Sequence, residues 1–227
     1  SFYNIHFPKN ETLQKQASFR LKFEELFFVQ LNLLSAKSYR KQKYKGHAFK
    51  EVSHYFNSYF KNQLDFELTS AQKRVIKEIR RDMKAGSQMN RLLQGDVGSG
   101  KTIVALMSIL IALDNGYQTC LMAPTEILAS QHFKSISMDL FELGIKVELL
   151  TGSVSGSKKD EIIERSVSGD IDLLIGTHAL IEDNVKFKNL GFVVIDEQHR
   201  FGVVQRSKLM KKNTIPPHVL VMTATPV

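Results

Sequence analysis

From about residue 65 onward, the chain alternates short apolar runs rich in Val, Ile and Leu with longer stretches of helical character. Apolar runs of four to six residues bounded by turn signals are strands buried on both faces. Their regular alternation with helices is the pattern of a parallel sheet covered by helices on its two sides. The spacing predicts strands at 91–94, 119–123, 146–150, 171–176, 192–196 and 219–223, with helices at 70–84, 102–115, 127–143 and 158–168. The expected fold class is therefore α/β, a mainly parallel sheet with helices on both faces. With 43% apolar residues among 227 and a single Cys, the chain has material for a full core, and disulfide scaffolding and wholesale disorder are excluded. Charge or Gly breaks every apolar stretch before the roughly 18–20 residues a bilayer span needs, so no membrane partner and a cytoplasmic location are expected.

Ahead of this region the texture differs. Residues 11–37 contain neither Gly nor Pro, and Phe19, Phe23, Leu26, Phe27, Leu31 and Leu34 recur at three- and four-residue intervals, which predicts a long amphipathic helix. It leads into Lys37, Arg40, Lys41, Lys43, Lys45 and Lys50, with Tyr39, Tyr44 and Phe49 interleaved and no acidic residue. Such mixing suits contacts to phosphate and base, and equally a solvated helix end complementing its dipole. Of the net charge of +8, +5 lies in residues 1–68, with eleven Lys and Arg against six Asp and Glu. The expected division is a helical segment over 1–64 and an α/β domain over 65–227. The absence of an initial Met and the stop at Val227, directly after an apolar run, lead us to expect a piece of a longer chain.

The most specific motif is Gly95, Asp96, Val97, Gly98, Ser99, Gly100, Lys101 and Thr102, a G-x-x-x-x-G-K-T sequence between a predicted strand and a predicted helix. Its glycines let backbone N–H groups close around a phosphate, with the positive end of the helix dipole behind them. Lys101 is expected to reach the β- and γ-phosphates and the Thr102 hydroxyl to ligate Mg²⁺, which makes ATP and Mg²⁺ the expected cofactors. A second acidic motif completes this one. The apolar run 192–195 ends in Asp196 and Glu197, which places two carboxylates at the strand edge where the phosphate loop also lies. Asp196 is expected to hold Mg²⁺ through water and Glu197 to orient or deprotonate the attacking water. The seven His and one Cys show no zinc spacing at His47 or His54, and Cys120 reads as a small core residue.

Asp196, Glu197, Gln198 and His199, followed by Arg200, Phe201, Gly202 and Val203, resemble motif II and its extension in the RecG branch of superfamily-two DNA translocases. The segment 68–76 with Gln72 resembles that family's Gln-containing segment, 123–132 its motif Ia, and 151–153 the DNA-facing loop that follows. Residues 176–180 resemble motif Ib and 223–226 motif III. The helix around residues 19–27 and the opening 5–8 are similar to the segment joining the RecG wedge domain to its first motor lobe. Translocase lobes of transcription-repair coupling factors carry a similar series, but typically read Asp-Glu-Glu-Gln where this chain has Gln198 and His199.

The resemblance implies a RecA-like first motor lobe of an ATP-dependent helicase that remodels branched DNA, such as stalled forks and Holliday junctions, in recombination and repair. It implies that Gln72 reads the adenine edge, although a Gln at a helix start is often only surface, and that Gln198 and His199 couple the γ-phosphate to Thr223 and Thr225. Pro124, Thr125, Gly152, Gly176, Thr177 and His178 would face a DNA backbone, without base readout. Arg200 and Arg206 serve either that face or the bracing of the lobe. The implied partners are branched DNA, a second RecA-like lobe and a wedge domain. Without the second lobe, the chain alone is expected to be nearly inactive. An ATP-binding switch without motor function is the alternative, and DNA stimulation of hydrolysis separates the two.

Overall fold

The computed structural model describes residues 2–43, 45–197, 201, 208–210 and 212–224, with residues 37 and 40–43 given by their backbone alone. The chain divides into two compact units, residues 1–43 and 44–227. The first is helical. Helix α1 (Phe2–His6) packs on α2 (Glu11–Lys43). The α2 start is capped by Asn10, whose Oδ1 accepts the Leu13 N–H at 2.8 Å. Pairs Glu11–Lys15 and Arg20–Glu24 support it at i,i+4 spacing. Helix α2 runs past the expected residue 37 because no Gly or Pro occurs before Gly46 to end it.

The second unit contains a six-stranded parallel sheet of β1 (Asn90–Gln94), β2 (Gln118–Met122), β3 (Val147–Leu150), β4 (Leu173–Gly176), β5 (Leu190–Asp196) and β6 (His218–Thr223). Their order is β1-β6-β5-β2-β4-β3, and every neighbouring pair is parallel. Successive residues alternate between two cores. Leu121, Leu173, Ile175, Phe192, Val194, Leu220 and Met222 face one, while Cys120, Met122, Leu174, Val193, Ile195, Val219 and Val221 face the other. Helices α4 (Ser70–Lys84), α5 (Lys101–Asp114) and α6 (Glu126–Leu140) contribute to the first core. Helix α7 (Ser157–Ser168) and the 3₁₀ turn at His178–Ile181 contribute to the second. This is the α/β arrangement expected from the sequence. Strand β5 begins two residues earlier than expected because Gly191 continues it. A Cβ there would meet the Tyr117 ring at 2.6 Å, so only glycine lets this strand pass.

Helix α5 explains what precedes the sheet. Residues Val104 to Leu113 are all buried, including Leu106, Met107, Ile109, Leu110 and Ile111, so the helix is apolar all round and needs cover on two sides. The sheet covers one. On the other lie α4 and the segment 45–68, most of which the change of texture near residue 65 predicts for the preceding helical unit. It contains α3 (His54–Ser58) and a π-helical turn at Tyr59–Gln63. Phe49, Tyr59 and Leu68 are buried in the same core, with Val52, Tyr55, Phe56 and Leu64 packed against it. Polar groups at the end of α5 pin this strap. Asp114 accepts the Ser53 N–H at 2.7 Å and the Tyr55 N–H at 2.8 Å. Asn115 exchanges two hydrogen bonds with the Glu51 backbone, at 3.0 and 2.9 Å.

His218 fastens the strap to β6. Its Nδ1 accepts the Met89 N–H at 2.9 Å, so Nε2 carries the proton and donates to the His47 carbonyl at 2.9 Å. Burial pushes the imidazole down from 6.5 to about 4, with the bond to His47 opposing the shift. The unfolded chain therefore takes up a proton below pH 6.5 that the folded chain refuses until about pH 4. Stability is expected to fall across that window by up to roughly 3 kcal/mol. Denaturant midpoints between pH 7 and pH 4.5 measure it, and a His218→Gln variant should lose this part of the slope. An equal slope in that variant would assign the pH dependence to other groups.

Candidate functional site

Because all six strands are parallel, every strand's C-terminal end lies on one edge, and the residues singled out in the sequence gather there. The phosphate loop follows β1, and the acidic pair ends β5. Strand β6 lies between those two, and its end touches both. The Gly95 N–H donates to the Thr223 carbonyl at 3.3 Å, and the Glu197 N–H donates to the Met222 carbonyl at 2.9 Å. Two strand spacings, about 9.6 Å, thus separate the backbone ends of β1 and β5.

Within the loop, Gly98 and Gly100 have φ of +80° and +77°, conformations an L side chain rarely adopts. The α5 helix starts from Gly100. Lys101 Nζ donates to the carbonyls of Gly95 at 2.7 Å and Asp96 at 2.9 Å, so the ammonium is folded over the mouth of the loop. Asp96, Val97 and Thr102 are not buried, and Val97 is 90% exposed. Gln72 lies beneath. It closes a capping box with Thr69, in which the Thr69 N–H donates to Gln72 Oε1 at 2.9 Å and the Gln72 N–H to Thr69 Oγ1 at 3.2 Å. Its Nε2 donates to the Ser99 carbonyl at 3.1 Å. The Oε1 end of the Gln72 amide thus closes the α4 cap, while the Nε2 end ties α4 to the phosphate loop. A Cβ at Gly100 would come within 2.3 Å of that Nε2, so the contact itself requires glycine.

At the end of β5, Glu197 has φ of +50°, a left-handed conformation that costs about 1–3 kcal/mol for a residue with a Cβ. Its carboxylate accepts from the Thr223 hydroxyl at 3.4 Å and the Ala224 N–H at 3.3 Å. Asp196 Oδ2 is 2.9 Å from His132 Nε2 on α6, and both side chains are sheltered, 13% and 14% exposed. Gln198, His199, Arg200, Arg206 and Thr225 lie outside the described residues.

Farther along the edge, Pro124 is half-buried, while Thr125, Gly152 and His178 are exposed. Thr125 caps α6, its Oγ1 accepting the Leu128 N–H at 3.3 Å. Gly176 and Thr177 are buried. A Cβ on Gly176 would lie 2.0 Å from the Leu150 carbonyl, so tight strand packing already accounts for that glycine. The Thr177 hydroxyl is buried without a hydrogen-bond partner among the described residues. Cys120 is fully buried, and desolvation pushes its thiol up to about 12, as suits a core residue.

Two side chains in the segment 123–132 had no role in the sequence reading. Glu126 accepts the Ser153 N–H at 3.0 Å and so bridges the loops after β2 and β3. His132 meets Asp196. Neither is legible without the sheet order, because their partners are 27 and 64 residues away.

The sheet and the glycine loop together define a RecA-like P-loop nucleotide-binding lobe. The family model for DEAD/DEAH box helicases matches residues 69–227, and the chain belongs to that family. It is similar along nearly its whole length to proteins named ATP-dependent DNA helicase RecG. The protein from Synechocystis sp. is 49% identical over 223 residues, 98% of this chain and 27% of that protein. The one from Thermotoga maritima is 47% identical over 227 residues, 100% of this chain and 29% of that protein. The chain thus spans about three tenths of the length of these curated relatives. A structure of RecG bound to a three-way DNA junction aligns with the whole chain at TM-score 0.87 and 44% identity, covering 30% of that chain. The helicase MrfA shares the fold alone, at TM-score 0.61 and 18% identity over 78% of this chain. Among the described residues, no helix is long and apolar enough to cross a membrane.

The Gln72 contacts yield a separable prediction. Gln72→Ala should cost about 1 kcal/mol through the lost cap and should speed hydrogen exchange at residues 99–101. Gln72→Glu keeps the cap acceptor but not the donor to Ser99. It should leave the melting temperature near that of the original chain and still loosen the loop. Unchanged exchange in both variants would contradict the coupling.

Proposed function

We propose that this chain is the first motor lobe of an ATP-dependent, RecG-like translocase on double-stranded DNA, acting on branched DNA in recombination and repair in the cytoplasm. The observation that carries the reading is the placement of the phosphate loop and the Asp196–Glu197 pair on either side of the β6 end, in a chain 47–49% identical to RecG helicases. Residues 65–227 form the lobe. Residues 1–64 join it to a wedge domain, with the part after Tyr44 serving as the lobe's own cover. The arginine that meets the transition-state charge belongs to a second RecA-like lobe.

In this reading the 95–102 loop holds the ATP phosphates on its N–H groups, and Lys101 exchanges the carbonyls of Gly95 and Asp96 for phosphate oxygens, where its hydrogen bonds become charge-assisted. The donors fit Mg²⁺, since the Thr102 hydroxyl and Asp196 carboxylate are hard oxygens and such sites use only one or two carboxylates beside the phosphates. Mg²⁺, when bound, neutralises charge on the β- and γ-oxygens. Glu197 orients and deprotonates the water that attacks the γ-phosphate in line, so that the γ-phosphoryl–oxygen bond breaks and ADP and phosphate leave. Its bonds to Thr223 and Ala224 tie this step to motif III. Gln198 and His199 act with them, and Gln72 contributes to adenine recognition through its remaining N–H. The edge formed by Pro124, Thr125, Gly152 and His178, with Gly176 and Thr177 beneath, follows a DNA backbone.

Two variants of the full-length protein separate binding from chemistry. Lys101→Ala should weaken ATP binding at least about 10-fold, the loss of a hydrogen bond to a charged group. Glu197→Gln should keep nucleotide affinity and lose at least about 100-fold in turnover. Tight binding of a fluorescent ATP analogue by Lys101→Ala, or brisk hydrolysis by Glu197→Gln, would refute the assigned roles.

DNA affinity should be indifferent to base sequence and should fall linearly in log–log form as salt rises, because phosphate contacts release counterions. Fluorescence anisotropy across an ionic-strength series measures the slope. A flat line would remove the backbone-tracking reading.

A further inference from the structure

The contact between His132 and Asp196 joins helix α6 to the acidic end of β5. The two side chains are 64 positions apart, 2.9 Å from Nε2 to Oδ2, and nearly nine-tenths sheltered from solvent. An ionised carboxylate only accepts hydrogen bonds, so Nε2 bears the hydrogen and His132 donates. Shielding from water strengthens such a bond relative to a surface pair. Asp196 Oδ1 has no hydrogen bond among the described residues. Among the described residues, Asp196 is thus held through one oxygen only.

We propose that His132 is a positioning residue for metal binding, fixing the Asp196 carboxylate through Oδ2 so that Oδ1 is presented to Mg²⁺ at the phosphate loop. This rests on the reading of Asp196 as the magnesium ligand given above. The chemistry of the residue fits the task. A Lys or Arg at this position would set a permanent cation against the carboxylate and compete with Mg²⁺. An imidazole N–H orients the group while leaving its charge for the metal, the usual role of an outer-shell partner. The geometry also fits, because α6 is firmly anchored. Its first turn is capped by Thr125 and carries Glu126, which holds the Ser153 N–H, and its inner face buries Ala129, Ile136 and Leu140. His132 therefore projects from a rigid element and can hold Asp196 in a single orientation.

The test compares the affinity of a fluorescent, non-hydrolysable ATP analogue with Mg²⁺ present and with EDTA, in the full-length protein and its His132→Ala, His132→Gln and Asp196→Asn variants. The ratio of the two affinities reports metal binding, and the EDTA value reports an intact nucleotide site. His132→Ala should lower the ratio about 10- to 100-fold at unchanged EDTA affinity. His132→Gln, whose amide N–H reaches a similar position, should restore most of it. An unchanged ratio in His132→Ala, with a collapsed one in Asp196→Asn, would overturn the positioning role and leave Asp196 as the ligand. An unchanged ratio in Asp196→Asn would remove the underlying reading as well. If His132→Ala loses nucleotide even in EDTA, His132→Gln decides. A ratio near the original supports donation to Asp196, and a low ratio at normal EDTA affinity overturns it.

Discussion

Helix α5 begins at the phosphate loop and is apolar on every side, so the lobe must bury it completely to be stable. Each of its large side chains contributes about 1.5–3 kcal/mol only if removed from water. A sheet can cover one side of such a helix. The other must come from elsewhere in the chain, and the segment carrying Phe49, Tyr55, Phe56, Tyr59 and Leu68 supplies it together with α4. Asp114, Asn115 and His218 then fix this strap by hydrogen bonds, so that the helix behind the phosphate loop is held from both faces. A loop that must keep two glycines in left-handed conformations gains its rigidity from that support.

The three charges proposed to act on nucleotide all have partners within the lobe. Lys101 is held by two loop carbonyls, Asp196 by His132, and Glu197 by Thr223 and Ala224. Partly buried charges need such compensation, and bonds that are individually modest can be exchanged for those of a ligand without unfolding the loop. The strained backbone at Glu197 belongs to the same arrangement. Its φ of +50° turns the chain sharply at the end of β5, and the bond from its N–H to Met222 holds that turn against β6.

The strands, the phosphate loop and the acidic strand end were legible in the amino-acid order alone, because each depends on a local pattern. Short apolar runs mark buried strands, Gly98 and Gly100 permit the loop, and a run without Gly or Pro sustains α2. Which of these elements meet was settled by packing in three dimensions. The order β1-β6-β5-β2-β4-β3 brings Gly95 and Glu197 to opposite sides of the β6 end, and places α6 where His132 reaches Asp196. Packing also assigned Phe49 and Tyr59 to the lobe's core and buried Gly176 and Thr177 beneath the exposed edge. The physical reason is that strand order and the choice of which segment covers which arise from contacts between residues distant in sequence, and the local apolar pattern marks a buried face without recording its partner.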